Sequence, residues 1–219
     1  MKLRKTANKQ DVTVKRLLAI GDIHGCLDPL RRLLETVAPQ AGDQFVFLGD
    51  YIDRGPDSVG VIDTLLDFRQ KYRAVFLRGN HEQMLLNYLA GKGEAWLDVN
   101  NGGAITFHQY KNSSYAGFPE SHLDFITNLE FSWSWGDFIF VHAGLKPGLP
   151  LSQQSADDVL WIRRPFLDSQ YDWGKTVVFG HTPQKEPLLT KNRIGIDTDA
   201  VRGGQLTCCD VLNRQLWSV

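Results

Sequence analysis

The first half of the chain repeats one pattern three times: a short apolar run, a turn rich in glycine and charge, and a stretch with apolar residues at helical spacing. Short apolar runs bounded by turn signals are typical of buried strands, and their alternation with helices indicates β-α-β units around a largely parallel sheet. The pattern predicts strands over 16–20, 44–48 and 74–77 and helices over 27–37, 58–68 and 82–89, with Ser58 as the N-cap of the second helix.

The second half has a different rhythm, with more strands and fewer helices. It predicts helices over 101–110 and 120–129, and strands over 131–135, 138–142, 176–179, 194–198, 205–211 and 214–217. The segments WGD and LNRQ are typical of hairpin turns, which indicates antiparallel pairing. We therefore predict an α/β fold in which two mixed β-sheets pack face to face and are flanked by helices. A single domain over 16–219 would follow a flexible, basic arm over 1–15.

Composition narrows the range of partners. A formal net charge of −1 gives no electrostatic reason to expect nucleic acid or an anionic membrane. No apolar run approaches the roughly 18 residues that a membrane span needs.

The odd number of cysteines, Cys26, Cys208 and Cys209, argues against a disulfide framework and predicts reduced packing residues in a cytoplasmic protein. Cys208 and Cys209 are adjacent in a predicted strand, so their side chains should point to opposite faces.

Five glycine-flanked polar motifs stand where predicted strands end: GDIHG (21–25), GDYIDRG (49–55), RGNHE (78–82), VHAG (141–144) and FGHT (179–182). In α/β sheets, ligands bind at the carboxyl ends of the strands. Any one motif alone is better explained as an ordinary turn or a structural histidine. Five together favour one site, whose carboxylate, amide and imidazole donors are Asp22, His24, Asp50, Asn80, His142 and His181.

The donor types indicate a metal site. Oxygen and nitrogen donors without thiolate suit Mn²⁺, Fe or Zn²⁺ better than soft metals. The donors are too many for a single ion that must leave room for water, and Asp50 has two oxygens with which to bridge two ions. We therefore predict two divalent ions about 3.5–4 Å apart, an arrangement that generates hydroxide and holds a phosphoryl group for in-line attack.

In order and spacing, GDIHG, GDYIDRG and RGNHE resemble the motifs of the phosphoprotein phosphatase family of metallophosphoesterases. The resemblance covers roughly residues 17–212. The segments NGG (101–103), VLWIR (159–163), FGHTPQKEPL (179–188) and IDTDAV (196–201) resemble the small phage and bacterial serine/threonine branch. The resemblance implies the calcineurin-like metallophosphoesterase fold and two divalent ions, most simply Mn²⁺, with Fe, Zn²⁺ or Ni²⁺ as alternatives.

The resemblance also implies a role for each matching residue. Asp22, His24 and Asp50 would hold the first metal, and Asp50, Asn80, His142 and His181 the second. His81 would be the general acid, with Asp53 hydrogen-bonded behind it; a carboxylate in that position raises the imidazole pKa. Arg54 and Arg163 would bind the phosphate oxygens together with Asn80 and His81. Arg164 adjoins Arg163, and Arg163 is preferred because it follows Trp161 as the family arginine does.

These roles predict a metal-dependent serine/threonine protein phosphatase that attacks phosphorus directly through a metal-bridging hydroxide. Its partner would be a phosphorylated protein or peptide, and the chain would need no obligate partner and act as a monomer. The alternatives are a symmetrical diadenosine tetraphosphate hydrolase or a broad-specificity phosphatase using the same site. A non-catalytic phosphate- or metal-binding module is a further hypothesis, against which the predicted general acid argues.

Three positions outside this set are singled out. Asp199 stands where the family usually has glycine, which adds a carboxylate near the predicted site in a turn that favours left-handed backbone. His108 and His122 have no partners in the local sequence and are predicted to lie on the surface.

Overall fold

The structure, a computed structural model, describes residues 14–219. Most of the predicted arm over 1–15 therefore lies outside the described residues. Within them the helices are α1 (Leu27–Val37), α2 (Ser58–Lys71), α3 (Asn80–Leu89), α4 (Gly103–Asn112), α5 (Glu120–Thr127), α6 (Ala156–Trp161) and α7 (Arg164–Leu167). The strands are β1 (Leu17–Ile20), β2 (Gln44–Phe47), β3 (Arg73–Phe76), β4 (Ser132–Trp135), β5 (Phe138–Val141), β6 (Thr176–Phe179), β7 (Leu188–Leu189), β8 (Arg193–Gly195), β9 (Thr207–Asp210) and β10 (Gln215–Ser218).

Two five-stranded mixed sheets form the framework. The first has the order β10-β9-β1-β2-β3, in which β1, β2 and β3 are parallel and β9 and β10 are antiparallel to their neighbours. The second has the order β4-β5-β6-β8-β7, with β5, β6 and β8 parallel and antiparallel strands at both edges. The hairpins predicted at WGD and LNRQ are the β4–β5 and β9–β10 pairs. The predicted α/β fold with two mixed sheets is confirmed.

The sheets pack face to face because successive side chains of a strand point to opposite faces. Leu17 and Ala19 of β1 join Phe140, Val178 and Ile194 of the second sheet in one buried cluster. The alternate residues of β1 instead pack under α1, α2 and α3. A third buried cluster joins the outer face of the second sheet to α6 and α7. This four-layer arrangement fixes the carboxyl ends of the parallel strands on a rigid base.

The adjacent cysteines follow the same alternation. Cys208 belongs to the cluster under the helices and Cys209 to the cluster between the sheets. Both are buried and free, as is Cys26.

Several sequence-based boundaries are wrong for identifiable local reasons. The third helix begins at Asn80 instead of residue 82, because the Glu82 carboxylate accepts a hydrogen bond from the Gly79 amide (3.0 Å) and closes the first turn. The N-cap of α2 is Asp57, whose side chain accepts from the Gly60 amide at 2.7 Å, instead of Ser58. The short elements α6, α7 and β7 were not predicted, because four- to six-residue helices and a two-residue strand leave little periodicity to detect.

The two remaining histidines differ in their placement. His108 lies on the surface as predicted. The prediction for His122 is wrong, because this side chain is fully buried. Its Nδ1 is 2.8 Å from the Tyr110 hydroxyl and its Nε2 is 3.0 Å from the Asp63 carboxylate. These partners come from α4 and α2, which a local view of the sequence does not bring together.

None of the helices in the described part of the chain is long and apolar enough to cross a membrane.

Candidate active site

The carboxyl ends of the parallel strands converge on one buried floor. Asp22 and His24 follow β1, Asp50 follows β2, and Asn80 and His81 open the helix after β3. His142 follows β5 and His181 follows β6, so the second sheet supplies the remaining donors. The predicted metal ligands are at most 6 % exposed, and His81 is 1 % exposed. We call this set the floor: Asp22, His24, Asp50, Asn80, His81, His142 and His181.

Tight backbone geometry positions the floor. His24, Asp50 and His181 have φ values of 47°, 52° and 63°, in a left-handed region that costs a non-glycine residue about 1 kcal/mol or more. The Asp50 carbonyl accepts from the amides of Ile23 (3.0 Å) and His24 (2.8 Å), which ties the ends of β1 and β2 together. These hydrogen bonds hold the strained turns in place.

Two glycines let backbone approach the carboxylates closely. A Cβ added to Gly79 would collide with the Asp50 Oδ1 atom, and one added to Gly180 would collide with the Asp22 Oδ1 atom. Only glycine therefore leaves room for the carboxylates in their observed positions.

Asp50 lies at the centre of the floor. Its Oδ2 is 3.5 Å from the His24 Nε2, and its Oδ1 is 3.4 Å from the His142 Nε2. Oδ1 also accepts from the His81 amide at 3.1 Å. The two oxygens thus face different histidines, an orientation suited to a carboxylate that bridges two ions.

Two of the floor histidines, His24 and His142, are each held in one tautomer. His24 donates from Nδ1 to the Ile52 carbonyl (3.0 Å), and His142 donates from Nδ1 to the Leu48 carbonyl (2.9 Å). The Nε2 lone pairs therefore point inward. Burial lowers the pKa of His24 to about 3 and that of His181 to about 2, and it also lowers the pKa of His142. Neutral imidazole is the form that binds a metal.

Two details indicate that cations fit this floor. The His142 Nε2 and the Asn80 Oδ1 are 2.9 Å apart, so two lone pairs face each other in an arrangement that a shared cation stabilises. The buried His181 Nε2 has no hydrogen-bond partner in the described structure. Two groups of residues, His24–Asp50–His81 and Asp50–His142–His181, share Asp50, and within each group the donor atoms lie within 4.8 Å of one another. The donor set fits two divalent ions.

Asp22, which is predicted to hold the first metal with His24 and Asp50, has different surroundings in the structure. The first donor group contains His81 instead of Asp22. Both Asp22 carboxylate oxygens accept from the His181 amide, at 3.1 and 3.0 Å. Burial, reinforced by the negative charges of Asp197 and Asp50, raises the pKa of Asp22. A cation on the floor would offset that charge repulsion.

His81 and Asp53 form a buried pair. The His81 Nδ1 donates to the Asp53 Oδ2 at 2.7 Å. Although burial lowers the pKa of His81, the carboxylates of Asp50 and Asp53 outweigh it, and the net pKa is raised. Trp96 Nε1 donates to both Asp53 oxygens (3.1 and 2.9 Å), and the Thr106 hydroxyl donates to Oδ1 at 2.8 Å. The pair can present a protonated imidazole whose Nε2 lies 4.0 Å from the Asp50 Oδ2.

A pocket opens above the floor, which we call the rim pocket. Its lining residues are His24, Arg54, Arg163, His181, Pro183, Asp197, Asp199 and Arg202. Arg54 donates from Nη1 to the His24 Nε2 at 2.8 Å and from Nε to the Asn100 carbonyl at 3.4 Å. Arg163 lines the pocket, whereas Arg164 is highly exposed and lies 4.0 Å from Asp168. Of the two neighbouring arginines, Arg163 is thus the one placed at the site.

Asp199 lies at the edge of the rim pocket. Its φ of 58° is left-handed, so the turn is kept without glycine. Its carboxylate accepts from the Arg202 Nη1 at 3.0 Å. The unusual carboxylate therefore pairs with an arginine that lines the same pocket.

Sequence reasoning missed four residues that support the site. Glu82 accepts from the backbone amides of Asp50 (3.0 Å) and Tyr51 (2.8 Å), and so fixes the strand end that carries Asp50. Asp197 is 5 % exposed and lines the rim pocket; burial raises its pKa to about 6. Glu82 lies inside the motif RGNHE and Asp197 inside IDTDAV. Trp96 and Thr106 lie in no motif, and the sequence carries no signal for them.

Comparisons with known proteins find relatives that match most of this chain. The family model described as calcineurin-like phosphoesterase matches residues 15–208. The chain is 33% identical over 202 residues to serine/threonine-protein phosphatase 1 of Salmonella typhimurium, covering 88% of this chain and 90% of the relative. It is 29% identical over 216 residues to PrpE of Anoxybacillus flavithermus, an asymmetrical bis(5'-nucleosyl)-tetraphosphatase, covering 86% of this chain and 87% of the relative.

Two solved structures superpose on most of this chain. A crystal structure provisionally described as a diadenosine tetraphosphatase superposes with a TM-score of 0.77 at 25% identity, covering 94% of this chain and 93% of that one. A cold-active protein tyrosine phosphatase superposes with a TM-score of 0.63 at 17% identity, covering 94% and 78%, which shows the shared fold. The dinucleotide relative named above is asymmetrical, whereas the sequence-based alternative was a symmetrical hydrolase.

Proposed function

The chain belongs to the calcineurin-like phosphoesterase family, and from that premise we propose that it is a Mn²⁺-dependent phosphatase acting on phosphoserine and phosphothreonine in proteins. The observation that carries the proposal is the buried His81–Asp53 pair at 2.7 Å beside the buried donor group Asp50–His142–His181, which fits a divalent cation. A module that only binds phosphate or metal needs no general acid held in this way. The proposed partner is a phosphorylated protein or peptide met by a monomeric chain in the cytoplasm.

The divalent ions would be held by Asp22, His24 and Asp50 on one side and by Asp50, Asn80, His142 and His181 on the other. Bound there, they would lower the pKa of a water molecule and neutralise charge on the phosphoryl group. The chain's own residues bind and orient the substrate. Arg54 and Arg163 line the rim pocket and bind phosphate oxygens as charged donors. A metal held by the His24 Nε2 would displace the present bond from the Arg54 Nη1 and leave that donor free for a phosphate oxygen.

His81 completes the reaction by protonating the leaving oxygen. Its Nδ1–H is committed to Asp53, so the proton that it delivers is the one on Nε2. The carboxylates of Asp50 and Asp53 favour the imidazolium form before transfer. Trp96 and Thr106 hold Asp53 in position, which orients the imidazole plane toward the substrate. Protonation turns the serine or threonine alkoxide into a neutral alcohol that leaves easily.

Serine/threonine specificity is supported by the 33% identical Salmonella relative. A second candidate is the asymmetrical hydrolysis of a dinucleoside tetraphosphate, which the PrpE relatives favour. Both reactions use the same floor, because each is an attack of water at phosphorus. They differ in the leaving group, which is an alcohol in one and a nucleotide phosphate in the other.

A substrate panel separates the candidates. Metal-stripped protein reloaded with Mn²⁺ is given phosphoserine, phosphothreonine and phosphotyrosine peptides, p-nitrophenyl phosphate and diadenosine tetraphosphate, and kcat/KM is measured for each. We expect the highest value for the phosphoserine or phosphothreonine peptide. A value for the dinucleotide that is higher by orders of magnitude, with AMP and ATP as products, would establish the second candidate instead. No turnover of any substrate despite bound metal would identify a binding module.

A further inference from the structure

The rim pocket contains one more arginine than a single phosphate needs. Arg54 and Arg163 are assigned to the phosphate that is cleaved, and divalent ions on the floor would share its charge. Arg202 also lines the pocket, from a separate short 3-10 helix, Ala200–Arg202. Nothing in the proposed reaction uses this third guanidinium.

Arg202 is held at the pocket by the carboxylate of Asp199, at 3.0 Å. Its side chain is 54 % exposed and that of Asp199 is 32 % exposed, so the pair lies at the boundary between pocket and solvent. A guanidinium has more donors than one carboxylate oxygen can use. Arg202 can therefore keep its bond to Asp199 and still donate to an anion in the pocket.

The turn does not need this ion pair to form. The Arg202 and Gly204 amides both donate to the Asp199 carbonyl at 3.0 Å, and the Gln205 amide donates to the Thr198 carbonyl at 3.0 Å. Moreover, Asp199 adopts a left-handed conformation that glycine would adopt at lower cost. The backbone closes the turn without the side chains, so a positioning role for Asp199 explains what the turn alone does not.

We propose that Arg202, positioned by Asp199, is a specificity-determining residue that binds a second phosphoryl group of the substrate beside the one that is cleaved. This inference rests on the proposed function, since it assigns Arg54 and Arg163 to the scissile phosphate. The group recognised is a tetrahedral phosphate anion on the same substrate, close enough to the first to lie in the same pocket. It could come from an oligophosphate chain on a nucleotide or from an adjacent phosphoserine in a peptide.

The test compares two substrate pairs with and without the second phosphoryl group. One pair is a phosphoserine peptide and the same peptide with a neighbouring phosphoserine; the other is AMP and ADP. The Mn²⁺-loaded wild type, Arg202→Gln and Asp199→Asn are measured on all four, with Arg164→Gln as the control because Arg164 is an exposed arginine outside the pocket.

For Arg202→Gln we expect kcat/KM to fall about tenfold for the substrate with two phosphoryl groups, as expected for one lost charged hydrogen bond. For the singly phosphorylated member we expect a fall of less than about twofold, from weaker long-range attraction. The loss should lie in KM, with kcat nearly constant, and Asp199→Asn should show a smaller loss of the same kind. Arg164→Gln should change neither.

The pair that responds identifies the source of the second phosphoryl group. Equal changes in both members of both pairs, or no change, would overturn the inference while leaving the proposed function intact. Failure of the proposed function looks different, because the wild type itself would then turn over none of the peptides. Mn²⁺ content measured on each variant separates a loss of the substrate contact from a loss of the folded site.

Discussion

The floor and the exposed arginines of the rim pocket, which we call the rim, differ in how firmly the protein holds their side chains. The floor residues are at most 6 % exposed and are fixed by backbone hydrogen bonds and left-handed turns. The rim residues Arg163 and Arg202 are exposed, and a single ion pair orients Arg202. A buried, pre-oriented floor determines which reaction can occur. An exposed rim can differ in charge without disturbing the core, so we expect substrate choice to depend on it.

The largest effect should come from the floor, at the general acid. Replacing His81 by Asn removes the proton donor but keeps a polar side chain, and we expect kcat on a phosphopeptide to fall about 10²–10⁴-fold. His108→Asn, at an exposed histidine outside the site, is the control. Steady-state kinetics with Mn²⁺ content measured in parallel checks the expectation. Wild-type turnover in the His81 variant would remove His81 from the mechanism.

The second largest effect is expected at a glycine that leaves room for a floor carboxylate. A methyl group added by Gly180→Ala would collide with the Asp22 carboxylate, so we expect metal affinity to fall about 10- to 100-fold, the usual effect of disturbing the support of a ligand. In Gly91→Ala the added methyl group meets nothing within 4 Å, and the left-handed φ of 68° adds strain of its own. This control should lose stability without losing affinity for Mn²⁺ in a calorimetric titration. Equal affinities in the two variants would contradict the placement of Asp22.

His122, which lies outside the floor, can test whether burial lowers the pKa of a histidine in this protein. Burial lowers the pKa of His122, whereas its contact with Asp63 opposes that shift. As pH falls, His122 of the unfolded state therefore takes up a proton near pH 6.5, before His122 of the folded state does. The contribution of His122 to the free energy of unfolding is present above that pH and is lost as pH falls below it. We expect the advantage of the wild type over His122→Gln, in free energy of unfolding, to shrink by about 1 kcal/mol from pH 7.5 to 5.5. Urea denaturation at the two pH values measures it, with His108→Gln as the control. A constant difference would exclude burial as the cause.

The smallest effect is expected at the rim. Asp199→Gly relieves a left-handed residue, so we expect the free energy of unfolding to rise by about 0.5–1 kcal/mol. Asp199→Asn is the matched control, since Asn tolerates this conformation about as well as Asp and should leave stability unchanged. Denaturant unfolding compares the three proteins. A less stable Gly variant would mean that the pair with Arg202 stabilises the fold, against a role in substrate choice.

Floor and rim also differ in how far the sequence predicts them. The floor residues follow apolar runs and stand within two residues of a glycine, so each is recognisable as the end of a strand, and a parallel sheet brings such ends to one edge. Their convergence follows from local pattern and topology together. The same reasoning predicts the two sheets and the opposite faces of Cys208 and Cys209.

The residues that escaped prediction depend on long-range contacts. Trp96 reaches Asp53 from 43 positions away, and the buried His122 meets Asp63 from 59 positions away. No periodicity in the sequence reports such pairs, because they arise from how helices pack on the sheet. Asp199 could be recognised as unusual, but its pairing with Arg202 follows from the shape of a turn that the backbone alone decides.

The central claim is that the floor holds two divalent ions on which hydrolysis depends. Its most direct test is to strip the protein of metal, add Mn²⁺ stepwise, and record bound metal and phosphopeptide hydrolysis on the same samples. We predict negligible activity without metal, and full activity only when about two ions are bound per chain. Full activity in the stripped protein, or a single bound ion at full activity, would contradict the account.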